Sequence, residues 1–267
     1  MRPIERLRSA GQSGVGHLRR VSGDLLSLTI PRGCAGCGDW DRAVCSNCRR
    51  LWAASPRRCE EDTVHLAAAE FGRARLALPT WAVAPYQGPA RRMILAWKSA
   101  RRPDTAVVLL AAGHRAAQQL AAQLQPGQKV VVVPAPSGWR RRAARRFVVG
   151  VLAEAVAAGL SAGGYPVAGV ADVLRSRGGS IRRLSAGARR RGRRVRLRRG
   201  RQVSGPVVLV DDVVTTGATL AEARDCLDGG GARVHGALVL AATLRPGSSR
   251  WRAGPEPDRL SKLAADG

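Results

Sequence analysis

From residue 80 onward, short continuous apolar runs alternate with longer stretches of helical spacing. Residues 80–86 (TWAVAPY) predict a strand. Gln87-Gly88-Pro89 opens a helix, because proline suits a first helical position, and Met93, Ile94 and Trp97 then share one face. Residues 105–124 predict a long Ala- and Leu-rich helix, ended by Pro126-Gly127. Residues 129–133 predict a buried strand with Pro134 at its end, and residues 143–160 a further helix. Gly205-Pro206 precedes a buried strand over 207–210, which ends in two carboxylates. A helix over 219–227 closes in Gly229, Gly230 and Gly231, and residues 233–243 supply a last strand. Continuous apolar strands separated by helices predict an α/β fold with a parallel sheet flanked by helices on both faces. Such sheets bind ligands beyond the carboxyl ends of their strands, which points to the loops after Val133 and Val210.

Before residue 80 this pattern is lost. Residues 1–24 and 246–267 are polar and dotted with Gly or Pro, and are expected to be flexible. Leu25, Leu26, Leu28 and Ile30 predict a short apolar segment stopped by Pro31. No apolar run approaches the length of a membrane span, and the N-terminal stretch has no apolar h-region. The expectation is a cytoplasmic protein without a secretory signal.

Charge changes the picture. The 267 residues carry 45 Lys and Arg against 19 Asp and Glu, a net +26, and just three of the bases are lysines: Lys98, Lys129 and Lys262. Codon bias explains arginine over lysine but not the excess over acids. Residues 137–201 hold eighteen arginines against Glu154 and Asp172. Such a segment attracts phosphate, on a small molecule or on single-stranded nucleic acid, and suits a solubilising loop equally well. Residues 182–201 are expected to form a mobile basic loop near the site mouth.

Two motifs carry chemistry. Cys34-x2-Cys37-x7-Cys45-x2-Cys48 offers four thiolates for a tetrahedral Zn²⁺, with glycines where a metal knuckle turns its N–H groups toward sulfur. Residues 25–58 thus read as a zinc-binding module with a core separate from that of residues 80–245. Cys59 is expected in a surface loop and Cys226 in a helix core. The second motif is VVLVDDVVTTGATL over 207–220. Asp211 and Asp212 can accept hydrogen bonds from a sugar diol. Thr215, Thr216, Gly217, Ala218 and Thr219 open a helix whose N–H groups form an anion cradle. Acid beside a phosphate cradle indicates a sugar phosphate. P-loop and Rossmann glycine patterns are absent, and the four histidines accompany no Ser or Cys nucleophile pattern.

The second motif resembles the phosphoribosyl pyrophosphate (PRPP) signature of type I phosphoribosyltransferases. Cysteines ahead of a Tyr86-x-Gly88 turn, Lys98 on the following helix and VVPAPS over 132–137 resemble the ComF-like family of competence-associated phosphoribosyltransferase homologues. The resemblance implies a glycosyltransferase that moves phosphoribosyl from Mg²⁺·PRPP to a nitrogen acceptor. Asp211 and Asp212 would hold the ribose, Thr215 to Thr219 the 5-phosphate, and Ser137 and Arg140 the pyrophosphate. The family's Arg-Gly-Phe-Asn-Gln run appears here as Arg145-Arg146-Phe147-Val148-Val149, without its amides. A non-catalytic nucleotide- or DNA-binding accessory protein of DNA uptake is therefore the alternative. The acceptor and a homodimer are left open.

Overall fold

The computed structural model describes residues 33–40, 42–63, 65–66, 69–70, 73–74, 77–99, 102–122, 129–136, 148–176 and 195–245. The chain begins with helix α1 (Ser46–Leu51), strand β1 (Arg57–Arg58), a 3-10 turn (Glu60–Asp62) and the short pair β2 (Ala69–Glu70) and β3 (Arg73–Ala74). Strand β4 (Thr80–Pro85), helices α2 (Gly88–Lys98) and α3 (Pro103–Ala121), strand β5 (Val130–Pro134) and helix α4 (Val148–Ala162) follow. Strands β6 (Val167–Val170), β7 (Leu174–Ser176), β8 (Val195–Leu197) and β9 (Gly205–Val214), helix α5 (Ala218–Asp228) and strand β10 (Ala232–Ala242) complete it.

The main sheet runs β1-β4-β10-β9-β5-β6. β1 is antiparallel on the edge, and the other five strands are parallel. Val207 to Val210 are buried in alternation on opposite faces, which is why this strand is apolar at every position. Val208 and Val210 join Met93, Leu109 and Val156 under α2, α3 and α4. Val207 and Leu209 join Leu220 and Leu227 of α5 and Leu174 of the β7–β8 hairpin. The mixed α/β fold with a mostly parallel sheet flanked by helices is the predicted one.

Several expectations need correction. β9 does not stop before the acids: Asp211 pairs with Val239 and Val213 with Ala241, so both carboxylates belong to the strand. The β-branched Val213-Val214 carries the extended conformation onward. β6, β7 and β8 were not predicted; they are short and part-exposed, so periodicity gives little signal. Part of the expected basic loop, Val195–Leu197, pairs with β7 and packs against α5. Residues 177–194 lie outside the described residues, as do 1–32 and 246–267.

The cysteine module does not have a separate core. Val44, Cys48 and Trp52 belong to one buried cluster with Met93, Ile94 and Leu109. Arg92 donates through Nε to the carbonyl of Gly36. Arg102 donates to the carbonyls of Gly33 and Ala43, both at 2.9 Å. Cys59 is buried against the opposite face rather than in a surface loop. Burial, and then the negative charges of Glu60 and Asp62, push its thiol up to about 12. Among the described residues, no helix is long and apolar enough to cross a membrane.

Candidate ligand cavity and metal centre

A parallel sheet opens a crevice where neighbouring strands send their connections in opposite directions. β5 and β9 are such a pair: β5 leads through α4 to β6 on one side, and β9 through α5 to β10 on the other. A cavity of about 260 Å³ lies there. Ala135 and Pro136 after β5 line it, with Asp211, Asp212 and Val213 of β9, Thr215 and Thr219 of the following turn and helix, and Val148 and Val149 at the start of α4. Tyr86 and Lys98 complete the described wall.

Of the predicted site residues, Asp211, Asp212, Thr215 and Thr219 face this one space. Thr216, Gly217 and Ala218 instead shape the turn. Oγ1 of Thr216 accepts from the N–H of Ala218 at 3.5 Å, and its carbonyl accepts from the N–H of His65 at 3.0 Å. Gly217 caps α5 at φ 79°, in the left-handed region, and a Cβ there would overlap the side chain of Leu66. Only glycine satisfies both conditions. Beyond Ala218, whose N–H goes to Thr216, the first-turn N–H groups of α5 have no acceptor within the helix and suit an anion. Ser137 and Arg140 lie outside the described residues.

Asp212 is buried, and its N–H donates to Oδ1 of Asp211 at 2.8 Å. Its own Oδ1 lies 2.8 Å from Nζ of Lys98. The sequence marks Lys98 and Tyr86 through the family resemblance alone and does not single them out as site residues. The available signal was compositional: a lysine is conspicuous where nearly every base is arginine.

The metal motif assembles as predicted. The Sγ atoms of Cys34, Cys37, Cys45 and Cys48 all lie within 4.8 Å of one another. Zn–S bonds of about 2.3 Å in a tetrahedron give sulfur–sulfur edges of about 3.8 Å, so the cluster fits zinc. Sγ of Cys34 accepts from the N–H groups of Gly36 (3.4 Å) and Cys45 (3.3 Å), and Sγ of Cys45 from the N–H of Cys48 (3.5 Å). A Cβ on Gly36 would collide with Sγ of Cys48. Burial works against the Cys34 thiolate, but these N–H donors outweigh it and hold the thiol down to about 6. Cys48 is pushed up by burial and then by the neighbouring sulfurs. Four sulfurs gathered this closely could hold a metal cation, which would let them ionise together.

No family model matches the chain, and no curated protein matches it. Among the solved structures it is similar to are three phosphoribosyltransferases. One is the orotate phosphoribosyltransferase from Aeropyrum pernix: 22% identity, 66% of this chain, 73% of that chain, TM-score 0.29. Another is a hypoxanthine phosphoribosyltransferase from Staphylococcus aureus: 16% identity, 55% of this chain, 68% of that chain, TM-score 0.32. The third is the adenine phosphoribosyltransferase from Leishmania donovani: 16% identity, 82% of this chain, 92% of that chain, TM-score 0.33.

Proposed function

We propose that the cavity binds the ribose 5-phosphate portion of Mg²⁺·PRPP, and that the protein is a ComF-like phosphoribosyltransferase homologue. The observation that carries this reading is the meeting of Asp211 and Asp212 with the first turn of α5 in one cavity at the sheet crossover. Carboxylates accept from a diol, and hydroxyls with free N–H groups donate to phosphate. Asp211 and Asp212 take the ribose hydroxyls; the turn from Thr215 to Thr219 takes the 5-phosphate. Ser137 and Arg140 follow β5 in sequence and are assigned to the pyrophosphate. Magnesium arriving with the ligand would supply positive charge to its pyrophosphate. The four cysteines hold a structural Zn²⁺, within a module spanning residues 25–58 attached to a domain over 80–245.

In the transfer itself, a nitrogen lone pair forms the bond to C1 of the ribose as the C1–O bond to pyrophosphate breaks. The electron pair leaves on pyrophosphate, and the surplus proton on nitrogen passes to solvent. Positive charge builds on the ribose meanwhile, so rigid acids beside it lower the barrier. Val148 and Val149 favour a second reading. They line the cavity where the resembled family carries Asn and Gln, so this wall offers no side-chain amide. That suits a protein that binds the sugar phosphate without transferring it, as a DNA-processing accessory.

Calorimetry with Mg²⁺·PRPP tests the binding. Asp212→Asn keeps the shape and removes a charged acceptor, so affinity drops roughly ten- to a hundredfold. Equal affinity in both proteins, or no binding by wild type at millimolar ligand, overturns the reading. Pyrophosphate release on adding nucleobases separates transferase from accessory.

A further inference from the structure

We infer that Lys98 is a positioning residue that occupies one carboxylate oxygen of Asp212 and so reserves the other for a ligand's diol. The inference rests on the sugar-phosphate reading above. Nζ of Lys98 sits 2.8 Å from Oδ1 of Asp212, with the two side chains 21% and 10% exposed. Both line the cavity, and Lys98 is the only cation among its described lining residues. Neither end of the pair is free to wander. Lys98 is the last residue of α2, and buried Met93, Ile94 and Trp97 anchor the helix immediately before it. Asp212 lies inside β9 between two positions paired with β10.

The chemistry asks for lysine at this place. Two adjacent carboxylates would repel a phosphorylated ligand; one ammonium cancels half of that charge. An ammonium is a compact point charge that engages a single oxygen. A guanidinium presents a planar fork that takes both oxygens of a carboxylate. Arginine would therefore neutralise Asp212 equally well while consuming the acceptor needed for the diol. In a chain with 45 basic residues and three lysines, the lysine stands where that distinction matters.

The test is titration with ribose 5-phosphate, 2-deoxyribose 5-phosphate and inorganic phosphate. Wild type, Lys98→Met, Lys98→Arg, Asp212→Asn and the double variant K98M/D212N are compared, with thermal midpoints as folding controls. Wild type is expected to prefer the ribose form over the deoxyribose form by about tenfold or more. Lys98→Arg loses that preference while keeping its affinity for inorganic phosphate, whereas Lys98→Met, with charge uncancelled and both Asp212 oxygens open, weakens all three ligands and keeps a preference. The double variant shows the same ribose-over-deoxyribose ratio as Asp212→Asn alone, because Lys98 acts on the diol through Asp212. Full preference in Lys98→Arg overturns the inference, since charge compensation alone would then suffice. A further drop of that ratio in the double variant overturns it too, since Lys98 would then touch the diol itself. If Lys98→Met does not fold, the arginine variant decides. A wild type that binds no ribose 5-phosphate overturns the underlying reading and the inference with it, an outcome distinct from retained preference in Lys98→Arg.

Discussion

The indole Nε1 of Trp52 donates to Sδ of Met93 at 3.2 Å, and both side chains are fully enclosed. This bond ties the helix that supplies Cys48 to the helix that supplies Lys98. Cysteine cluster and sheet therefore share one core.

Replacing Cys48 with Ala is expected to release about one Zn²⁺ per chain. Stability falls by several kcal/mol, on the order of 10 °C in melting temperature, in a single transition. Metal analysis and calorimetry measure this. A separate low-temperature transition, with the main transition unmoved, would show an independent module after all.

Glu60 gives the protein an acid-sensitive seam. The buried carboxylate accepts from Nε of Arg58 at 2.7 Å and from the N–H of Thr80 at 3.2 Å, joining β1 to β4. Burial opposes its ionisation, but Arg58 and these donors prevail and hold it below the ordinary value of 4.5. A depressed carboxylate stabilises the fold above the unfolded value, and that contribution fades as pH falls through the lowered folded value. Glu60→Gln should lower stability at neutral pH by about 1–3 kcal/mol. It should also flatten the loss of melting temperature on acidification below about pH 4.5. Parallel pH profiles for the two proteins would refute the assignment.

Gly217 and Leu66 are coupled by contact. Gly217→Ala costs about 1–3 kcal/mol in left-handed strain, and the overlap with Leu66 adds to it. Combining it with Leu66→Ala removes the overlap but not the strain. The double variant should thus be more stable than the sum of the single losses by about 1 kcal/mol. Denaturant melts of the three variants measure the coupling; strict additivity would mean the turn moves away from Leu66 freely.

The eighteen arginines between 137 and 201 make a separate case. Single-stranded DNA binding through them should weaken steeply between about 50 and 200 mM salt. Fluorescence anisotropy across that range checks it. No binding at low salt leaves the segment a solubilising role.

Periodicity located the elements of the sheet well because these strands are buried on both faces. β5 was expected over 129–133 and runs Val130–Pro134; β10 was expected over 233–243 and runs Ala232–Ala242. The acids and hydroxyls of the turn after β9 were legible because they are consecutive in sequence. The pairing of Lys98 with Asp212 was not, because 114 residues separate them and only the packing of α2 brings them together. The support of that turn by His65 and Leu66 was equally hidden. Nothing in a short, irregular stretch says which backbone it will lie against.

That β9 continues through its own acids has one last consequence. A carboxylate on a loop can swing to meet what arrives. Asp211 and Asp212 are fastened by the ladder with β10, so moving their backbone means opening the sheet. On this side the cavity is a template rather than a glove. Whatever ligand it accepts must arrive in, or be bent into, the shape the strand already has.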